Sequence, residues 1–277
     1  MNSPRLESIL VVYQNPVEGR LSDYDDWYTN VHIRDAMRLD GAIATQRFVV
    51  HRLQPVMNGR RATPIHWAHT IYEWESAEAS VRGHAERGGT PLMEITRDAS
   101  FRKLRDYFFV PCYMSGGWRA DTGFRGGSCV LTVLIEPAGD PAGFAQWFES
   151  IHAPSTLAMP GFASAGLFAL HDVQSLPVES DYPMVAIYGL SDAAVALEAW
   201  NARNAGGDRH DIAARAARYE AGCWEPRTER LRASAVLNPA EESVREENRA
   251  RQSYADRYLT QAELGSELGA IADSWLD

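Results

Sequence analysis

The chain has 277 residues, 45% of them hydrophobic and 23% charged, which is a globular composition with enough length for two domains of ordinary size. Its formal charge of −10 argues against nucleic acid, whose binding relies on Lys and Arg to neutralise phosphates, and against anionic membrane surfaces. No apolar run reaches the roughly 20 residues that span a bilayer, no signal-peptide layout opens the chain, and Cys112, Cys129 and Cys223 lack zinc or redox spacing, so a cytoplasmic setting with reduced thiols is expected.

In chain order, the β-rich run 8–14 (SILVVYQ) precedes a turn at Asn15-Pro16. Apolar and aromatic residues at Tyr24, Trp27, Tyr28, Val31 and Leu39 then predict a helix of about four to five turns. Ser22 with Asp25 suggests its capping box and Gly41 its left-handed close. Strands are expected over 44–53 and 65–74, joined by a polar hairpin loop, followed by helical material from Ser76 and from Glu94 to Leu104, and a short strand over 107–114.

The same order returns. Trp27 recurs as Trp147, Tyr28 as Phe148, His32 as His152, Gly41 as Gly161 and His51 as His171, all at a constant offset of 120 residues. One supersecondary unit has been duplicated. The second copy runs through strands at 128–137, 163–173, 182–190 and 221–226, with helices from Asp140 and from Asp192 to Tyr219. Strand, helix, strand, strand, helix, strand is the ferredoxin-like split βαβ order. Residues 6–114 form the first repeat, 115–127 a Gly-rich linker, 128–226 the second repeat, and 227–277 a charged tail with a helix expected near Ala240–Leu259.

Two such units, each with an aromatic-rich first helix bearing a mid-helix His, resemble the dimeric α/β-barrel superfamily, and His152-Ala153-Pro154 resembles the His-Ala-Pro run of EthD-like members. The first copy departs from that triplet with His32-Ile33-Arg34. The resemblance implies an α+β fold in which the two repeats close one intrachain barrel, with the helical tail outside it. It also implies pockets between each sheet and its own helices. Isomerases, cyclases, monooxygenases and haem enzymes share this fold, so the reaction does not follow from it.

The halves are unequally equipped. Histidines 32, 51, 66, 69 and 84 lie in the first and only 152, 171 and 210 in the second, which points to an N-terminal active half. On an ideal wheel Asp35 falls within the apolar stripe, where an unpaired carboxylate costs several kcal/mol, so Tyr28, His32 and Asp35 are expected to share a cavity as an acid–base set. Arg47 and His51 share a strand face and suit an anionic or enolate oxygen, with Arg47 the stabilising contact. His51, His66, His69, Trp27, Trp67 and Tyr72 complete the candidate substrate contacts. His66 and His69 point to opposite strand faces, so at most one of them lines a given pocket.

No metal motif is present, and neither a phosphate-cradling loop nor a hydrolase elbow. The leading expectation is a cofactor-independent isomerase, cyclase or lyase acting on a small apolar or aromatic carbonyl compound. The rivals are a haem-dependent oxidoreductase and a non-catalytic binder of a hydrophobic metabolite. A homodimer is compatible with the duplication.

Overall fold

A computed structural model describes residues 5–116, 129–176, 182–205, 210–236 and 258–275. The first half runs β1 (Ser8–Pro16), α1 (Leu21–Trp27), a π-helical turn (Tyr28–His32), α2 (Ile33–Ala36), β2 (Ala42–Val50), the short strands β3 (Val56–Met57) and β4 (Arg60–Arg61), β5 (Ala68–Trp74), α3 (Ala77–Arg87), β6 (Ile95–Thr96) and β7 (Ala99–Gly116). The second runs β8 (Cys129–Pro137), α4 (Pro141–Trp147), a π turn (Phe148–His152), α5 (Ala153–Leu157), β9 (Phe162–Leu170), β10 (Met184–Leu190), α6 (Ala193–Ala205) and β11 (Ala216–Pro226). The tail adds β12 (Leu231–Arg232), β13 (Tyr258–Leu259) and α7 (Gln261–Gly269).

Eight strands close a barrel in the order β11-β8-β10-β9-β7-β1-β5-β2, and β2 returns to β11 through Trp224↔Val50 and Pro226↔Phe48. Each half contributes four antiparallel strands in the spatial order fourth, first, third, second. The halves meet where the fourth strand of one pairs with the second of the other, at β7–β9 and β11–β2. Closure leaves the eight strands no free edge between them.

Strand alternation sends one set of side chains into the barrel and the other against the helices. Ile9, Val11 and Tyr13 of β1 meet Val130, Leu134 and Trp224 inside. Leu10, Val12 and Phe108 face the helices of the first half, and Leu131, Val133 and Cys223 those of the second. Both faces of β1 are therefore buried, which is why its sequence reads as one apolar run.

The 120-residue frame extends to backbone detail. Both first helices carry the π turn at equivalent positions, and both end on left-handed glycines, Gly41 at φ 79° and Gly161 at φ 84°. Asp140 caps α4 by accepting from the Gly143 N–H at 3.0 Å, and Ser76 caps α3 by accepting from Ala79 at 3.1 Å. The Ser22 capping box does not form, because the N-cap is Arg20, two residues earlier, and Ser22 lies inside the helix.

Two further expectations change. The stretch Glu94–Leu104 is not helical: β6 and the long strand β7 occupy it. Phe101, Leu104 and Phe108 mimic helical spacing only because a bulge, with Lys103 at φ 56° and Asn15 paired to Ser100 while Tyr13 pairs with Arg105, shifts the strand's phase. The Asp192–Tyr219 run divides into α6, a 3-10 turn at Ile212–Arg215 and the start of β11. The tail helix expected near Ala240–Leu259 falls almost wholly outside the described residues; within them, β13 pairs with β6, and α7 follows a Thr260–Glu263 capping box. Among the described residues, no helix is long and apolar enough to cross a membrane.

Candidate active site

Between the helices of the first half and the outer face of its sheet lies a cavity of about 310 Å³. The first helix lines it with Trp27, Tyr28 and His32, and β5 with Tyr72. His84 of α3 and Asp106 of β7 face it from other sides. Ser175, in the loop after β9, reaches it from the second half, and Leu264 and Leu268 of α7 close it. Three separate stretches of chain thus build one largely apolar chamber of a size suited to a small organic ligand.

His32 stands on the π turn, its ring stacked on Trp27 at 4.7 Å and met edge-on by Tyr28 at 5.0 Å. Burial, helped by the charges of His84 and Arg47, holds the imidazole down to about 3. It is therefore neutral at physiological pH, and its Nδ1 is buried with no hydrogen-bond partner among the described residues. The Tyr72 hydroxyl donates to that of Tyr28 at 3.2 Å, and burial raises both phenols, so both remain protonated donors.

The structure does not bring the other expected residues to this chamber. Asp35 is buried, but its Oδ1 accepts from Arg38 one turn on at 2.8 Å, and it does not line the cavity. The extra residue in the π turn rotates everything after His32 away from the position an ideal wheel assigns. Arg47 is wholly buried within a cage of Tyr24, Tyr28 and Trp67, its centre 5.3, 4.8 and 5.5 Å from their rings. It is ion-paired with Asp25, which Arg227 also holds, tying the end of β11 to α1. Arg47 and Trp67 therefore support the helix from behind the Tyr28 ring.

His51 accepts the Leu53 N–H at 3.0 Å, as His171 accepts that of Val173 at 2.8 Å, so the pair shapes equivalent loops. His66 donates to the Lys103 carbonyl at 2.6 Å, beside the β7 bulge. His69 lies inside the barrel, stacked on Tyr13 at 4.4 Å, with Nδ1 donating to the Val12 carbonyl. Burial lowers His66 to about 4 and His69 to about 3.

His84, Asp106 and Ser175 were missed as site residues. His84 Nδ1 donates to the Ser80 carbonyl at 2.9 Å, and the Asp106 carboxylate accepts from the Ser175 hydroxyl at 2.7 Å. Burial pushes His84 down against the pull of Asp106, and pushes Asp106 up against Ser175 and His84. The chamber therefore holds an imidazole biased towards its neutral form and a carboxyl biased towards its protonated form. Reading β7 in the strand period would have exposed Asp106 as a carboxylate between the helix-facing Leu104 and Phe108.

No family model matches the chain, and no curated protein matches it. Solved structures do. An anthrone oxidase-like protein superposes with a TM-score of 0.57 at 12% identity, over 86% of this chain and 99% of that one. A candidate monooxygenase from Fusobacterium nucleatum superposes with a TM-score of 0.51 at 12% identity, over 82% and 95%. At such identities the likeness is one of fold. The closed eight-stranded barrel is the dimeric α/β-barrel architecture.

Proposed function

We propose that the chain is an enzyme whose first-half chamber binds a small, largely apolar aromatic or carbonyl compound and removes a proton from it. The observation that carries this reading is a neutral imidazole, His32, with an unpartnered buried nitrogen, lining an apolar chamber beside the hydrogen-bonded Tyr72–Tyr28 phenol pair. A base held neutral there can take a proton from an activated C–H or O–H group. The Tyr28 hydroxyl, which accepts the Tyr72 proton and keeps its own to donate, can stabilise the oxyanion that forms. Asp35 and Arg47 act in this reading by fixing the helix.

Two fates of the resulting enolate or phenolate are distinguishable. Oxidation is favoured by the two structural likenesses, which are described as an anthrone oxidase-like protein and a monooxygenase. An electron-rich carbanion can reduce O2, one oxygen atom entering the substrate and the other leaving as water. Isomerisation or elimination, the expectation from the residues alone, returns the proton elsewhere on the same molecule. A haem route fits the residues poorly. His32 and His84 could supply an axial nitrogen, but among the described walls no Lys or Arg faces the chamber to meet the propionates, and Asp106 does.

Within the barrel, the matching strand order of the halves supports reading them as tandem ferredoxin-like repeats. The EthD-like triplet lies in the second half, away from the chamber. His32→Ala is expected to abolish turnover of a phenolic or anthrone-type substrate with the fold retained, and oxygen uptake separates the two fates. Wild-type rates in that variant, with the thermal midpoint unchanged, would reject the reading.

A further inference from the structure

His84 and Asp106 are not needed for the proton transfer assigned to His32, yet the fold positions both with care. Donation from Nδ1 to the Ser80 carbonyl fixes the His84 tautomer and leaves Nε2 as an acceptor. The Ser175 hydroxyl, delivered by the other half of the chain, orients the Asp106 carboxyl. No hydrogen bond joins His84 to Asp106 among the described residues, although each shifts the other's protonation. They are separate polar groups facing one apolar chamber.

The second half shows what the same positions become without a ligand to hold. Counting from the capping residues Ser76 and Asp192, His84 corresponds to Trp200, which is wholly buried in the helix–sheet layer. Strand pairing gives the counterpart of Asp106: Val12 lies opposite Asp106 as Val133 lies opposite Ala221. One copy therefore has a bulky indole and a methyl where the other has a base and an acid. Nothing in the packing of the barrel demands the polar version.

We propose that His84 and Asp106 bind the hydroxyl or carbonyl end of an uncharged ring compound, whose apolar body lies against Trp27 and the α7 leucines. This rests on reading the chamber as the ligand site. An anionic ligand is disfavoured, because among the described walls there is no cation to offset its desolvation. A hydroxyl can donate to His84 Nε2 and accept from the Asp106 carboxyl in the protonated form that burial favours, satisfying both buried groups at once.

The test is calorimetric titration of the full chain at neutral pH with 2-naphthol, naphthalene and 2-naphthoate. Wild type is expected to bind 2-naphthol about tenfold more tightly than naphthalene, the worth of one or two hydrogen bonds. It should bind 2-naphthoate more weakly than 2-naphthol. In Asp106→Ala and in His84→Phe the advantage of the hydroxyl should vanish while naphthalene affinity holds. A purely structural role would weaken all three ligands together. Asp106→Leu serves if Asp106→Ala fails to fold, and should remove the same advantage because it leaves no polar group to meet the hydroxyl.

The proposal is overturned if 2-naphthol does not bind, if 2-naphthoate binds as tightly, or if the hydroxyl keeps its advantage in the variants. Binding as expected without turnover of any substrate would sink the enzymatic reading and leave this one standing. Turnover lost in His32→Ala, with ligand preference indifferent to His84 and Asp106, would do the reverse.

Discussion

The twin histidines His32 and His152 occupy equivalent positions on equivalent π turns, each against its tryptophan, and their surroundings differ by a few atoms. In the second half the first residue of the turn is Phe148 rather than a tyrosine like Tyr28, so the Tyr188 hydroxyl has no phenol to bond and donates to His152 Nε2 at 2.7 Å. His152 Nδ1 donates to the His210 carbonyl at 2.6 Å, and Trp200 packs edge-on against the ring at 6.1 Å. In the first half Tyr72 donates to Tyr28 rather than to the imidazole, and His32 Nδ1 finds no counterpart of the His210 carbonyl. A satisfied histidine is structural; an unsatisfied one beside a chamber is available for chemistry. The duplication supplies its own control, because the barrel tolerates both states of the same site.

The largest effects should separate the two imidazoles. His32→Ala should lower turnover by about 10²–10⁴, the usual worth of a positioned base, with little loss of stability. His152→Ala should do the opposite, costing about 1–3 kcal/mol through orphaned buried partners while leaving turnover near wild type. Equal losses of turnover in both variants, in a paired rate and urea-unfolding measurement, would dissolve the division of labour. Next in size, Trp200→Ala should destabilise by about 3–5 kcal/mol as a core truncation, and added indole should recover part of it by filling the new hollow.

The sequence reveals the duplication because helix ends, π turns and closing glycines depend on local residues that both copies retain. It reveals less of the site, for two geometric reasons. A helical wheel assumes about 100° per residue, and the π turn breaks that assumption immediately before Asp35, moving it from the chamber to Arg38. The bulge at Lys103 gives Phe101 and Leu104 a helical spacing, so the strand expected from sequence begins only at Tyr107 and leaves Asp106 outside it. Ser175, a second-half residue that orients a first-half acid, needs the folded barrel to be recognised at all.

The closing glycines give a smaller contrast of the same kind. Both are left-handed, so an added Cβ costs about 1–2 kcal/mol at either. At Gly41 that Cβ would find its nearest neighbour, Ala79 Cβ, at an ordinary 3.6 Å. At Gly161 it would stand 2.5 Å from the Ala196 backbone nitrogen, so α6 must move. Gly161→Ala should therefore lose measurably more stability than Gly41→Ala, and matched midpoints in thermal unfolding would contradict the tighter packing of the second half.

The finest distinction is in pH. His32 and His152 are both held to about 3 in the folded chain, chiefly by burial, against 6.5 when exposed. Between those values the unfolded chain binds a proton that the folded one refuses, so each imidazole's contribution is fully present above about 6.5 and is lost as pH falls towards 3. Removing either one, as His32→Phe or His152→Phe, should flatten the decline of stability by up to about 1.4 kcal/mol per pH unit. The two variants should part only at the acid end. The His32 ring opens on a chamber that water can enter, which softens its shift, whereas His152 is sealed by Tyr188, Trp200 and the His210 carbonyl. Chemical unfolding between pH 7 and 4 should thus show the benefit of His32→Phe levelling off first, and a later plateau for His32→Phe than for His152→Phe would mean that the chamber is as dry as its filled twin.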